Sequence, residues 1–223
     1  MTTDAVIDLE RLTLDAVRDG ALRQRPVTVL GLARTGIALA RLLVDAGAAV
    51  TVYDGRPAPQ LADALERLEG RSIRLLAGPE IDPTRAWDGA ALVTTSPSIN
   101  PDYPTTEPRL REALRALVDR RLDGDATAPA LVSEPDLFLR LCPAPTIGIT
   151  GTKGKTTTSS LIAALLAEDR SHPVVLGGNI GIPLVERLLE LTPDHRVVIE
   201  LSELQLPTLS RGTTVAVYTN VTS

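Results

Sequence analysis

Thr146-Ile147-Gly148-Ile149-Thr150-Gly151-Thr152-Lys153-Gly154-Lys155-Thr156 is the stretch whose reading decides the fold. The β-branched run Thr146 to Thr150 predicts a strand, and the residues from about Lys155 to Ala167 predict an amphipathic helix. Between them lies a glycine-rich turn. A strand feeding such a turn into a helix N-terminus is the setting in which backbone amides wrap a phosphate group. Glycine allows the close approach and unusual φ values that the wrapping needs. Lys155 can then reach β- and γ-phosphates, and the Thr156 hydroxyl can ligate magnesium. The strict G-x-x-x-x-G-K-[ST] spacing would need glycine at 149, where this chain has Ile149; Gly151 marks a variant of it. An ordinary helix-capping turn is the bland alternative. It explains neither the strand before the turn nor the five Gly or Lys residues among the nine from Gly148.

Working outward, Cys142-Pro143-Ala144-Pro145 interrupts any helix and predicts an extended connector, which sets an expected domain boundary between 143 and 144. Upstream, Val27-Thr28-Val29-Leu30 runs into Gly31, and Ile37, Ala38, Ala40, Leu42 and Leu43 follow at helical spacing up to Asp45-Ala46-Gly47. A second strand, Ala49 to Tyr53, ends at Asp54, which completes a βαβ unit. Further strands are expected near 73–76, 91–94 and 131–133, with helices near 61–68 and over 108–121 and a short one after Glu134-Pro135. Downstream, strands are expected at 174–176, 197–201 and 215–218. The alternation predicts an α/β protein: a Rossmann-like parallel-sheet domain over 1–143, then a P-loop-type α/β domain from 144 to 223.

The 223 residues include 43% hydrophobic but only 2% aromatic residues, so the core must be aliphatic, as in parallel sheets covered by helices. Few aromatics and a net charge of −5 disfavour base stacking and duplex binding, so no nucleic-acid partner is expected. One cysteine, Cys142, and two histidines leave no soft-ligand metal cluster, so any metal should be a hard, oxygen-bound ion. His172 and His195 read as exposed loop residues, Cys142 as a small buried side chain, and Trp87 carries no motif. Residues 1–25 contain Asp4, Asp8 and Glu10 and no continuous apolar stretch, which predicts neither signal peptide nor membrane span and hence a cytoplasmic protein. Val6, Leu9 and Val17 allow an amphipathic lead-in helix.

The loop from Gly148 to Thr158 resembles that of the Mur ligases and their folylpolyglutamate synthetase relatives. Three more matches follow in the family's order: Gly177-Gly178-Asn179-Ile180-Gly181-Ile182-Pro183, Glu200-Leu201-Ser202-Glu203-Leu204-Gln205-Leu206 and Thr219-Asn220-Val221-Thr222. Their forms look most like the family's D-glutamate-adding branch, whose first domain also opens with a glycine-rich loop, here Gly31-Leu32-Ala33-Arg34-Thr35-Gly36. Ser133-Glu134-Pro135-Asp136-Leu137-Phe138 resembles the stretch leading into that family's ATP domain, so the resemblance covers nearly the whole chain.

The resemblance implies an ATP- and Mg2+-dependent ligase of peptidoglycan precursor synthesis, monomeric at full length. It would activate the carboxylate of UDP-N-acetylmuramoyl-L-alanine as an acyl phosphate and join D-glutamate to it. Gly151, Thr152, Lys153, Gly154, Lys155, Thr156 and Thr157 would cradle ATP, with Lys155, Asn179 and Glu200 catalytic and Thr156 and Glu200 holding the metal. Gly31, Arg34, Thr35 and Gly36 would hold the UDP diphosphate, Asp54 would lie near the uridine, and Ser96 and Pro97 would add a second contact. Ser202 and Gln205 would lie near the muramoyl substrate, although Glu203 and Leu204 replace the usual Ser and Phe, and Ser98 replaces a usual glycine. By the same resemblance Ser223 falls inside the ATP domain. The expectation is therefore a chain that lacks the amino-acid-binding domain, does not complete the ligation alone, and exposes its central sheet where further strands would pair.

Three rivals stay open. A glycine loop followed by an acidic strand end also suits a nicotinamide-dependent oxidoreductase, although Ala33 stands where the middle glycine of that fingerprint belongs. The others are a non-catalytic nucleotide-binding module and a relative that adds a different amino acid.

Overall fold

The alternation of apolar runs and helical spacing becomes two parallel sheets in the computed structural model, which describes residues 6–220. The chain divides between Glu134 and Pro135 into two compact units with one sheet each. It has the parallel α/β architecture that the sequence predicts.

The first unit runs α1 (Leu14–Arg18), β1 (Pro26–Leu30), α2 (Arg34–Asp45), β2 (Ala49–Asp54), α3 (Ala62–Glu66), β3 (Arg74–Ala77), β4 (Leu92–Thr95), α4 (Pro108–Leu122) and β5 (Ala130–Ser133). Its strands lie in the order β3-β2-β1-β4-β5, every pair parallel. The order reverses at β1, so the loop leaving that central strand opens into the crevice where doubly wound sheets bind ligands. Val27, Val29 and Leu30 of β1 are buried, as is the apolar stripe Ile37, Leu39 and Leu43 of α2. Trp87, the residue without a motif, packs with Leu110, Leu114 and Leu117 of α4 in an aliphatic cluster on this unit. α2 ends as expected, with Gly47 left-handed at φ +83°.

The lead-in departs from expectation. Only Leu14–Arg18 is helical, and the Ile7 N–H bonds the carbonyl of Ala91 beside β4. Side chains explain this locally: Asp8 accepts from the Glu10 N–H at 3.0 Å, and Thr13 caps α1 by accepting from the Ala16 N–H at 3.1 Å. Such bonds give the backbone an alternative to a continuous helix. Asp4 lies outside the described residues.

α5 (Glu134–Leu141) spans the division, and the second unit continues with β6 (Thr146–Thr150), α6 (Lys155–Ala167), β7 (Val174–Gly178), β8 (Arg196–Glu200) and β9 (Val215–Tyr218). The strand order is β7-β8-β6-β9, again all parallel. A 3-10 helix at Leu184–Glu190, not foreseen from the sequence, follows Pro183 and buries Leu184, Val185 and Leu188. α6 is not the amphipathic helix expected. Ser159 is its one buried residue, and Leu161 and Leu165 are 58% and 65% exposed. Apolar residues lie on both of its faces, since Ile162 and Leu166 are half-buried while Leu161 and Leu165 point to water. Edge strand β9 is also open, with Val215 and Tyr218 exposed. No helix among the described residues is long and apolar enough to cross a membrane.

Candidate functional site

Each unit gathers polar groups at the C-terminal ends of inner strands of its sheet. In the first unit Gly31 follows β1 with φ +80°, and a Cβ there would come within 2.8 Å of Ile99 Cδ1. Gly36, in the first turn of α2, has the Gly31 carbonyl oxygen 1.8 Å from where its Cβ would be. Glycine at both positions lets the loop fold against the helix start, where N–H groups without intrahelical acceptors face outward. A cavity of about 520 Å³ brings together Gly31, Arg34, Thr35, Gly36, Asp54 and Ser96. Pro97 is not on its lining; Ser98 and Ile99 are, and the Ser98 hydroxyl lies 2.9 Å from that of Ser96.

Asp54 lines this cavity and is also held by the fold itself. It is 6% exposed, and both carboxylate oxygens are engaged. Oδ2 accepts from the Leu32 N–H at 2.8 Å and from Arg56 Nη2 at 2.7 Å, while Oδ1 accepts from the Arg56 N–H at 2.9 Å and from Arg56 Nε at 3.0 Å. Burial pushes its pKa up, but the Arg56 side chain and the two backbone N–H donors outweigh burial and hold the carboxyl below its ordinary range. Asp54 thus ties the glycine loop to β2. Arg56, which lines the same cavity and was missed in the sequence, is the group left facing it. Its signal was its place two residues beyond the acidic strand end.

In the second unit the loop after β6 carries Gly151 at φ +136° and Gly154 at φ +84°, the latter capping α6. A cavity of about 350 Å³ is lined by the loop from Thr152 to Thr157 together with Asn179, Ile180 and Glu200. Lys155 Nζ donates to the Gly151 carbonyl at 2.7 Å, which folds the side chain back along its own loop. Glu200, at the end of β8, is 1% exposed and accepts from the Thr156 hydroxyl at 2.8 Å and from Asn179 Nδ2 at 3.0 Å. The Asn179 N–H also donates to the Glu200 carbonyl at 2.9 Å. Gly178, at φ +105°, permits this approach, since a Cβ there would lie 2.4 Å from that same oxygen.

Ser202 and Gln205 are not on this lining. The Gln205 Oε1 accepts from the Ser202 N–H at 2.8 Å and from its hydroxyl at 3.2 Å, closing a turn after β8. The matched Val221 and Thr222 lie outside the described residues.

The donors on Glu200 are neutral, and a buried carboxylate with neutral donors is costly unless a cation joins it. No group of three or more His, Cys, Asp or Glu side chains forms a metal site among the described residues. The donor set is one carboxylate and one hydroxyl, which suits a magnesium ion completed by phosphate and water oxygens. The residues present therefore fit Mg2+.

The remaining titratable groups play other parts. His172 and His195 are half-buried rather than exposed. His172 Nδ1 lies 2.9 Å from the Asp194 carbonyl, and His195 Nδ1 accepts from the Thr192 N–H at 3.1 Å, so both fasten the connection into β8. Cys142 is half-buried, and burial pushes its thiol up.

Residues 149–223 match the family model of the Mur ligase middle domain. The chain is 34% identical over 200 residues to the UDP-N-acetylmuramoylalanine--D-glutamate ligase of Ruminiclostridium cellulolyticum, covering 90% of this chain and 39% of that protein. It is 39% identical over 189 residues to the ligase of the same name from Trichlorobacter lovleyi, covering 85% of this chain and 38% of that one. The chain therefore spans about two fifths of the length of these relatives. Among solved structures, a pseudomurein peptide ligase type C from Methanothermus fervidus aligns at 24% identity and a TM-score of 0.39, covering 80% of this chain and 33% of that one.

Proposed function

The chain belongs to the Mur ligase family, and from that premise we propose that it carries the nucleotide-sugar site and the ATP site of a ligase joining D-glutamate to UDP-N-acetylmuramoyl-L-alanine. The observation that carries the ATP half is the buried Glu200 carboxylate, bonded to Thr156 and Asn179 at the mouth of a glycine loop whose lysine stands ready. Relatives named as D-glutamate ligases support the choice of amino acid.

The reaction is a phosphoryl transfer followed by acyl transfer. The alanyl carboxylate attacks the γ-phosphorus of ATP and ADP leaves, giving an acyl phosphate. The D-glutamate amine then attacks the acyl carbon, phosphate departs, and an amide remains. The loop's amides and the first turn of α6 hold the phosphates in line, so positioning and electrostatics supply the catalysis. Lys155 leaves the Gly151 carbonyl for the γ-phosphoryl oxygens, exchanging a neutral acceptor for a charged one. Mg2+, held by Glu200 and Thr156, would screen the charge gathered on the transferred group. Asn179, fixed to Glu200 through its amide nitrogen, stands on the same cavity lining beside the loop, within reach of the phosphates or the substrate carboxylate.

In the first unit the N-terminal turn of α2 receives the diphosphate, with Gly31 and Gly36 allowing close approach and Arg34 and Thr35 beside it. Asp54 keeps that loop in shape from behind. The proposed partners are these small molecules, with neither nucleic acid nor membrane, for a cytoplasmic protein that is monomeric at full length.

Calorimetric titration of the chain with UDP-N-acetylmuramoyl-L-alanine, with ATP plus Mg2+, and with NAD as control tests the reading. Saturable binding of the first two and none of NAD is expected. Binding of NAD in place of the UDP-sugar would sink the first-unit assignment and favour the oxidoreductase alternative.

A further inference from the structure

Thr219, the residue that follows β9, belongs to a matched motif but has no role in the chemistry above. Its backbone N–H donates to the Thr150 carbonyl at 3.0 Å, which continues the β6–β9 pairing to the foot of the phosphate loop. Its hydroxyl donates to the Lys153 carbonyl at 2.6 Å, with the Thr150 carbonyl a second acceptor at 3.2 Å. The Thr152 N–H donates to the Asn220 carbonyl at 2.8 Å. A Cβ on Gly151 would lie 2.5 Å from Thr219 Oγ1 and 2.8 Å from the Asn220 carbonyl oxygen, so Thr219-Asn220 fills the space beside that glycine.

These contacts have an electrostatic meaning. An anion in a glycine loop is held by N–H groups and repelled by carbonyl oxygens that turn toward it. Here the Thr150 and Lys153 carbonyls are engaged by Thr219, and the Gly151 carbonyl by Lys155. Among the described residues, the Thr219 hydroxyl is the group that meets the Lys153 carbonyl, beyond the last pair of the β6–β9 register.

We propose that the Thr219 hydroxyl is a positioning group for the phosphates of the bound nucleotide: it braces the Lys153 carbonyl from the end of β9, so that the amides at the start of α6 converge on the anion. The inference rests on the ATP-binding reading and adds to it a residue that touches no substrate. It also explains Gly151 without reference to ligand, since the brace itself occupies the place of a side chain.

The test compares wild type, Thr219→Val and Thr219→Ser in calorimetric titrations with ADP and ATP in the presence of Mg2+, beside thermal melts. Val matches the shape without the hydroxyl, and Ser restores the hydroxyl. The expected result is affinity about tenfold weaker for Thr219→Val and within about threefold of wild type for Thr219→Ser, at similar melting temperatures. Should Thr219→Val melt early, Thr219→Ala takes its place as the variant without a hydroxyl. Equal affinity of wild type and the hydroxyl-less variant overturns the proposal, as does a Thr219→Ser variant as weak as it. If wild type binds neither nucleotide, the ATP reading falls by itself, and amide hydrogen exchange over residues 151–156 decides the brace. Faster exchange in the hydroxyl-less variant than in wild type and Thr219→Ser upholds it; equal exchange overturns it.

Discussion

The two glycine loops stand at comparable places, each leaving an inner strand of a parallel sheet beside an acidic residue at the end of the neighbouring strand. Asp54 ends β2 beside the loop after β1, and Glu200 ends β8 beside the loop after β6. Their surroundings differ in one respect that matters. Asp54 is met by the Arg56 guanidinium, so its charge is compensated within the fold and its oxygens are spent on holding the loop. Glu200 is more buried and is met by a hydroxyl and an amide. One carboxylate is part of the scaffold, and the other is the group proposed above to meet a cation that comes with the ligand. The same topological position thus carries a carboxylate compensated inside the fold in one unit and one met by neutral donors in the other.

The comparison can be broken most strongly at Lys155. Lys155→Ala removes the only cationic group on the lining of the second cavity besides Lys153, and ATP affinity with Mg2+ is expected to fall about 100-fold, or about 2.7 kcal/mol. Binding of UDP-N-acetylmuramoyl-L-alanine, proposed for the other unit, should not change. Calorimetry with both ligands checks this, and a parallel loss of both affinities would show that the two sites are not separable in this way.

The carboxylates themselves give the next largest effects, and opposite ones. Asp54→Asn removes the charge that Arg56 and two backbone N–H groups are built around, so stability should fall by about 2 kcal/mol in urea unfolding. Glu200→Gln replaces a buried carboxylate whose side-chain partners among the described residues are neutral. It should leave stability unchanged or raised, since the described partners of that side chain are a hydroxyl and an amide, while the gain in ATP affinity on adding Mg2+ is lost, on the order of tenfold. Two variants that destabilise alike would erase the distinction drawn between the sites.

Much of this was legible in the sequence because it is local. β-branched runs, glycines at strand ends and helical spacing placed β1, β2, β6 and α6 to within about a residue, and Gly-Lys-Thr at 154–156 gave the phosphate loop its chemistry. What was hidden depends on pairing between distant residues. That Arg56 turns back onto Asp54 needs the turn geometry after β2, and the brace from Thr219 needs the β6–β9 register, which joins residues 66 or more apart. The faces of α6 were misread for a related reason. Leu161, Ile162, Leu165 and Leu166 announce a helix but place apolar groups on two sides, and spacing alone cannot say which side meets the sheet. Ser202 and Gln205 were read from a motif, whereas their closed turn comes from the Gln205 amide accepting twice from Ser202.

A pH series sharpens the Asp54 contrast at smaller amplitude. The folded-state pKa of Asp54 lies below its ordinary value of 3.8, so the stability it contributes is full above that value and disappears as pH falls through the lower folded value. The gap between wild type and Asp54→Asn should therefore hold steady from neutral pH to about pH 4 and close below it. Urea unfolding at a few pH values measures this. A gap that persists undiminished well below pH 3.8 would mean that the Asn variant loses packing rather than charge pairing.

The smallest effect separates the two units by their surfaces instead of their sites. Leu114 on α4 of the first unit is fully buried within its core cluster, whereas Leu165 on α6 is 65% exposed. Burial free energy follows the apolar area removed from water, so Leu165→Lys gives up little of it. Its expected cost is within about 0.5 kcal/mol, and because Leu161, Val215 and Tyr218 leave further apolar surface open on the same unit, the substitution should raise solubility. Thermal melts and light scattering at increasing protein concentration read the two quantities separately. A cost of a few kcal/mol would show that the outer face of α6 is covered in solution, and the two units would then be alike in how completely they bury their apolar residues.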